Sequence, residues 1–347
     1  MKILKWKDTE QEKNAILDLT KTTFGDVEIT NPLYFDWQYR DNPHGKAIVL
    51  LAQDDSNDMI VGSNTIIPTS LLIDKQEILS SLACNVQIHP KYQKRGLFSK
   101  LISLMPSIAL KNNISSLFAI PNDKSFNSFI KTGSTEIIQL PLLGRPVKFS
   151  HFFRFPFNKI LSIFDIFWKK KFQTSNIESF DGNFEDFEKL VRKKSEYVDV
   201  IQSRKKEFLK WRYMNHPTRK YEIYILKTNE QLKGYIIFKT HKINQKKIGV
   251  ILDFVMDDES QIELSLNLVD KALEFFWEND VSVAIATCRS GLIENTVLHK
   301  VGFFNIPSFL KPEPLHFIVQ LFDSDDKLKK LKKYENWFFS FGDYDVF

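Results

Sequence analysis

At 347 residues, with 43% hydrophobic and 26% charged side chains, the chain is long enough for two ordinary domains and too apolar to remain disordered. Its 48 Lys and Arg against 43 Asp and Glu leave a scattered net charge of +5, which suits an anionic small ligand and is too weak to argue for nucleic acid. Two cysteines, Cys84 and Cys288, exclude a disulfide framework and point to a reducing cytoplasm.

In chain order, Met1 to Asp8 lacks the apolar core of a secretory signal. Residues 35–43 (FDWQYRDNP) read as a helix that stops at Pro43, and 47–68 as a strand, a polar turn and a strand. A further strand, 82–88, runs into Gln93-Lys94-Arg95-Gly96, then a helix over 97–112 and a strand over 115–120. Gln93–Gly96 thus sits where a strand becomes a helix. Such a turn exposes backbone N–H groups without helical partners, and the helix dipole adds positive charge there. A phosphate fits that position; Gly96 removes a Cβ from its path and Lys94 and Arg95 add charge.

After a connector, the pattern recurs. Trp37, Tyr39 and Pro43 are matched by Trp211, Tyr213 and Pro217 at one offset, 174 residues on. Strand, turn and strand return over 220–240, then strand 249–256, helix 261–278 and strand 281–287. Lys131-Thr132-Gly133 closes one short helix and Lys300-Val301-Gly302 another. Each half reads helix–strand–strand–strand–helix–strand–helix–strand, and a period this long denotes two copies of a whole domain. No run of about 18 uninterrupted apolar residues appears, so no transmembrane segment is expected. The closest stretch, His151–Trp168, is broken by Arg154, Lys159 and Asp165. With Lys169, Lys170 and Lys171 it reads as a bridge between domains, with peripheral membrane contact as a second reading. Metal-ligand spacings of Cys and His are absent, and no metal is expected.

On this order of elements the first half resembles the GNAT superfamily of acyl-CoA-dependent N-acyltransferases. The family signature Gln/Arg-x-x-Gly-x-Gly/Ala reads here Gln93-Lys94-Arg95-Gly96-Leu97-Phe98, preceded by Ile88-His89-Pro90. A second feature, an Asn after the fifth strand followed by Tyr and then x-x-x-Gly, is met by Asn122, Phe129 and Gly133. Two positions depart from the pattern: Phe98 replaces a small residue, and Phe129 stands where many members keep the Tyr that protonates the leaving thiolate. The second half follows by element order only. It has no Gln-x-x-Gly after Asp257-Asp258-Glu259-Ser260, and Gly291 and Leu298 hold the Asn and Tyr places.

The resemblance implies an α/β (α+β) fold of two tandem GNAT-like domains, each a mixed, mostly antiparallel sheet flanked by helices. The domain over 1–143 would carry the acyl-CoA site, 144–175 would connect, 176–318 would be a second domain without the CoA signature, and 319–347 a C-terminal tail. Acetyl-CoA is the implied cosubstrate. Its pyrophosphate would be held by Gln93, Lys94, Arg95, Gly96, Leu97, Phe98 and Ser99, and its pantetheine arm by the main chain of Val86, Gln87 and Ile88. Asn122, Ser125 and Phe129 would lie along the same arm. The implied reaction is direct transfer to a primary amine of a small molecule, with the second domain shaping the acceptor cleft. The tail and the Trp-Arg-Tyr of the second copy resemble bacterial acetyltransferases of surface polysaccharides, which points to an amino sugar.

Chemistry beyond binding has weaker candidates: Asn85 and Gln87 as orienting groups, His89 as a base, and Asp343 and Asp345 of the tail as carboxylates. Cys84 reads as core rather than nucleophile. Trp37 and Tyr39, like Trp211 and Tyr213, read as packing rather than as substrate-stacking aromatics. The alternatives are a Fem-type aminoacyl or peptidyl transferase fed by tRNA and a non-catalytic acyl-CoA-binding protein. Nothing in the sequence fixes an oligomeric state.

Overall fold

A computed structural model describes residues 1–152, 159, 161–163, 165, 176–243, 246–260, 262–311 and 313–344. The fold is mixed α/β, with two mostly antiparallel sheets flanked by helices. The chain forms two compact units: Met1–Gln139, Glu207–Arg219 and Glu313–Asn336 make the first, and Leu140–Lys206, Lys220–Pro312 and Trp337–Phe347 the second.

In the first unit, β1 (Lys2–Lys5) is followed by α1 (Glu10–Phe24). Thr9 caps α1 by accepting the Glu12 N–H at 3.2 Å, acidic residues fill its first turn, and Gly25 ends it at φ 81°. Helix α2 (Pro32–Tyr39) begins on Asn31, whose side chain accepts the Leu33 N–H, with Pro32 at the position where proline loses no helical bond. Strands β2 (Ile48–Gln53), β3 (Ile60–Ile73) and β4 (Gln76–Ile88) form a meander, and α3 (Leu97–Leu110), β5 (Ser116–Ala119), α4 (Asp123–Lys131) and β6 (Thr135–Gln139) follow.

Alternation along β2 sorts the unit into two layers. Ile48, Leu50 and Ala52 join the core beneath α3, with Leu97, Leu101, Ile102 and Met105 from that helix. Ala47, Val49 and Leu51 join the opposite core, with Ile16 of α1 and Phe35 and Tyr39 of α2. Each buried Leu or Ile contributes about 1.5–3 kcal/mol relative to exposure.

In the second unit, β7 (Leu143–Pro146), β8 (Ile177–Ser179), α5 (Glu185–Lys194) and β9 (Val200–Gln202) precede the meander β10 (Glu222–Thr228), β11 (Gln231–Ile243) and β12 (Lys246–Met256). Helix α6 (Ile262–Glu278), β13 (Val283–Ala286), α7 (Ile293–Lys300) and β14 (Phe304–Asn305) complete it. Strand β15 (His316–Leu321) returns to the first unit, and β16 (Trp337–Phe338) pairs with β9 in the second.

The sheet orders match. Unit one runs β1-β2-β3-β4-β5-β15-β6 and unit two β8-β10-β11-β12-β13-β7-β14, each antiparallel except at β4/β5 and β12/β13. In each, the sixth strand comes from a distant part of the chain: β15 enters between β5 and β6, and β7 between β13 and β14. The units are therefore interleaved in sequence rather than contiguous. Residues 144–146 belong to a sheet strand rather than to the beginning of a connector, and 319–321 lie inside a sheet rather than at the start of a tail.

Candidate active site

The first unit presents two adjoining features at the end of β4. One is an open helix start. Pro90 opens a short 3-10 turn after β4, His89 Nδ1 accepts the Lys91 N–H at 3.2 Å, and Gln93 Nε2 donates back to the Ile88 carbonyl at 3.2 Å. Lys94 (φ 62°) and Gly96 (φ 72°) then turn the chain into α3 in left-handed conformations. A Cβ on Gly96 would meet nothing within 4 Å, so its backbone conformation, not crowding, calls for glycine. The first helical bond runs from Lys100 N to Gly96 O, and among the described residues no side chain caps the preceding N–H groups of Leu97, Phe98 and Ser99. Gln93 to Gly96 are exposed. The Arg95 guanidinium lies over the Tyr92 ring at 5.1 Å and donates to the Lys91 carbonyl at 3.0 Å. Tyr92 itself bonds Asp54, which holds that carboxyl down at about 2.

The second feature is a free strand edge. Strand β4 meets β5 only at Ser81–Leu117 and Leu82–Phe118, yet stays paired with β3 as far as Ile88. Past Leu82 the other edge of β4 has no strand partner among the described residues, which leaves main-chain groups of Val86 and Gln87 for an extended ligand. A bulge marks the divergence: Ser63 pairs with Gln87 and Thr65 with Cys84, so Asn64 alone faces Asn85 and Val86. Asn85 takes φ 51°, a conformation that Asn tolerates. Its Nδ2 donates to Gln38 Oε1 at 2.7 Å and to Tyr39 Oη at 3.3 Å. Tyr39 Oη lies 3.2 Å from Thr65 Oγ1, and burial raises its phenol. Gln87 Nε2 donates to Thr20 Oγ1 at 2.8 Å.

The remaining expected residues are placed as follows. Asn122 caps α4, its Oδ1 accepting the Ser125 N–H at 3.1 Å and the Ser125 hydroxyl at 2.9 Å, which leaves its amide N–H groups for a ligand. Phe129 is buried and meets Phe98 edge to face, with ring centroids 6.3 Å apart. His89 is a turn cap, with its ring edge-on to Tyr92. Cys84 packs against the α1–α2 core. Asp343 is buried in the second unit, where its Oδ1 lies 2.7 Å from Arg204 and its Oδ2 accepts the Ser340 N–H at 2.8 Å. Asp345 and most of 153–175, including Arg154 and Lys169–Lys171, lie outside the described residues. Trp37 and Trp211 stack on each other. Sequence reasoning missed the Tyr92–Asp54 bond and the Gln38 and Tyr39 partners of Asn85, which join segments far apart in the chain.

The second unit repeats the divergence with its interior filled. Strand β12 meets β13 only over Ile248–Val250, and the N–H of Met256, its last residue, donates to Glu294 Oε1 at 2.8 Å. Glu294 also pairs with Lys194, and both side chains are buried; desolvation pushes the Glu294 carboxyl up even so. Where the first unit has Gln93–Gly96, this one has Asp257–Glu259. Lys193 binds Asp257 and Glu259, Lys194 binds Asp258, and Lys233 binds Asp257. The loop is thus neutralised from within, by lysines that the sequence alone did not bring to it.

Among the described residues, no helix is long and apolar enough to cross a membrane, and no group of three or more His, Cys, Asp or Glu could hold a metal.

Residues 7–126 match the family model described as an acetyltransferase (GNAT) domain. Nothing among curated proteins matches the chain. Solved structures share its fold. A GCN5-related N-acetyltransferase from Anabaena variabilis is 12% identical, with a TM-score of 0.65 over 93% of this chain and 73% of its own. An N-myristoyltransferase of Saccharomyces cerevisiae, solved with bound myristoyl-CoA, is 12% identical, with a TM-score of 0.62 over 92% and 78%. A probable N-acyltransferase from Enterococcus faecalis is 11% identical, with a TM-score of 0.63 over 93% and 73%. The fold and the matched domain define an acyl-CoA-dependent N-acyltransferase, whose second substrate is an amine.

Proposed function

We propose that the protein transfers the acetyl group of acetyl-CoA directly to a primary amine of a small molecule, an amino sugar, in the cytoplasm. The observation that carries this reading is the pairing of an uncapped helix start at Gly96 with the free β4 edge beside it. The N–H groups of Leu97, Phe98 and Ser99 would hold the pyrophosphate, with charge from Lys94 and Arg95. The main chain of Val86 and Gln87 would bond the pantetheine amides, and the Asn122 amide would lie along the same arm. The thioester supplies an activated acyl carbon. The amine nitrogen forms the C–N bond as the C–S bond breaks, the nitrogen loses its extra proton, and the thiolate takes a proton from solvent, since Phe129 has none to give.

Acetyl-CoA titrated calorimetrically into the intact chain is expected to bind at one site per chain. Free thiol is then expected when amino sugars are supplied in an amine panel. No heat with acetyl-CoA, or two equivalent sites, overturns the proposal. The contact of buried Phe129 with half-buried Phe98 favours a second reading, a protein that binds acyl-CoA without turning it over; binding without thiol release across the panel would select it. A tRNA-fed transferase is disfavoured by the anion-ready loop at β4.

A further inference from the structure

We infer that the second unit docks on an anionic lipid bilayer through the end of its β11–β12 hairpin and the adjoining Lys148 and Phe152. The inference stands apart from the acetyl transfer proposed above and gives the chain a partner that is neither acyl donor nor acceptor.

The hairpin sets like charges against each other. At its last two registers β11 and β12 pair Lys242 with Lys247 and Ile243 with Lys246. Directly opposed residues of an antiparallel pair project from one face, so the hairpin end carries lysines on both faces. Lys242 and Lys247 repel each other, which weakens the strand pairing. Lys247 donates to the Asn279 carbonyl at 2.8 Å, and the Lys246 ammonium lies over the Phe152 ring at 5.5 Å. Lys148 lies over the Trp277 ring at 5.2 Å and pairs with Asp280, which His151 approaches at 3.5 Å. Among the described residues, Asp280 is the one carboxylate bonded to any of these four lysines. The excess of positive charge calls for an anion from outside the chain.

The apolar side chains say which kind. Ile243 and Phe152 are 44% and 48% exposed. Both flank Lys246, one directly across the strands and the other beneath its ammonium. This arrangement fits the boundary between headgroups and acyl chains. Lysine stems let the ammonium groups reach lipid phosphates while the apolar groups enter below them. A soluble polyanion would neutralise the lysines and leave Ile243 and Phe152 in water. The cations here are lysines, point charges on flexible stems, which suit a diffuse charged surface; a single fixed phosphate is better met by the arginine fork. The aromatic and basic stretch that begins at His151 in the sequence thus starts at this surface.

The test is cosedimentation of the intact chain with lipid vesicles. It is expected to pellet with vesicles of equal parts phosphatidylglycerol and phosphatidylcholine. With phosphatidylcholine alone it should stay in solution, as it should with the anionic vesicles in about 1 M salt, where the Debye length shrinks to about 3 Å. Lys242→Gln combined with Lys246→Gln is expected to weaken partitioning about thirtyfold, about fivefold for each lysine. Ile243→Ser is expected to weaken it about fivefold with the salt dependence unchanged. The three side chains are exposed, so Tm and the acetyl-CoA Kd of both variants should match those of the parent. Failure to pellet, equal binding to the uncharged vesicles, or full binding by either variant overturns the inference. If the chain binds duplex DNA through the same lysines and ignores the vesicles, the surface serves a soluble polyanion and the bilayer reading falls.

Discussion

Trp37 and Trp211 stack face to face within the first unit, centroids 4.5 Å apart and planes 11° from parallel. Each indole N–H donates to the other's main-chain carbonyl at 2.9 Å. Equivalent positions of the sequence repeat thus meet through reciprocal bonds, and each ring covers the other. Trp37→Ala and Trp211→Ala are each expected to destabilise the protein by about 3–5 kcal/mol, read as the denaturant midpoint. Because both remove one shared contact, the double variant should fall well short of the sum; strict additivity would show that the rings act separately.

Gly96 offers a cleaner test of the phosphate loop, since a methyl added there meets no neighbour within 4 Å. Any effect of Gly96→Ala must come from holding φ 72° with a Cβ, at about 1–2 kcal/mol. Relaxation of the loop away from that conformation is expected to weaken acetyl-CoA by about five- to thirtyfold, with a small loss of Tm. Unchanged affinity in calorimetry would remove the loop from the binding site.

The strand, loop and helix around Gly96 were legible in the sequence because each signal is local: an alternating run, a glycine at a left-handed position, then helical spacing. The repeat was legible because Trp and Tyr recur at one offset. The placement of β7 and β15 was not. A run as short as Leu143–Pro146, holding a glycine and a proline, declares neither a strand nor its partners, which are Val283–Ala286 and Phe304–Asn305. The same limit hid Lys194–Glu294 and Arg204–Asp343, ion pairs between segments far apart in the chain. The acidic loop at 257–259 likewise gives no local sign of the lysines that neutralise it.

Phe98 and Phe129 depart from the family pattern together, and they touch. Each fills space against the other within the core beneath α3. Restoring the usual hydroxyl by Phe129→Tyr alone would place a polar group in an apolar setting, so a loss of about 1–3 kcal/mol is expected. No gain in kcat should accompany it. A rise in thiol-release rate at saturating substrates would instead show that the hydroxyl reaches the leaving group, and that the phenylalanine is a lesion rather than part of a packed pair.

Arg204, Asp253 and Asp343 give the second unit a pH signature. Arg204 is buried and bonds Asp253 at 2.9 Å and Asp343 at 2.7 Å. Burial, the largest cause, and the neighbouring Asp253 push the Asp343 carboxyl up to about 6 against the opposing pull of Arg204. The folded state therefore holds this proton more tightly than the unfolded chain, whose carboxyl titrates near 3.8. Stability from this group is present at low pH and is lost as pH rises through about 6. From pH 7 to pH 5 the intact protein should gain about 1 kcal/mol relative to Asp343→Asn, which lacks the titration. Chemical denaturation of both proteins at the two pH values measures the difference. If the intact protein instead loses ground to Asp343→Asn on acidification, the pull of Arg204 outweighs burial, and Asp343 is an ordinary stabilising anion whose proton destabilises the fold.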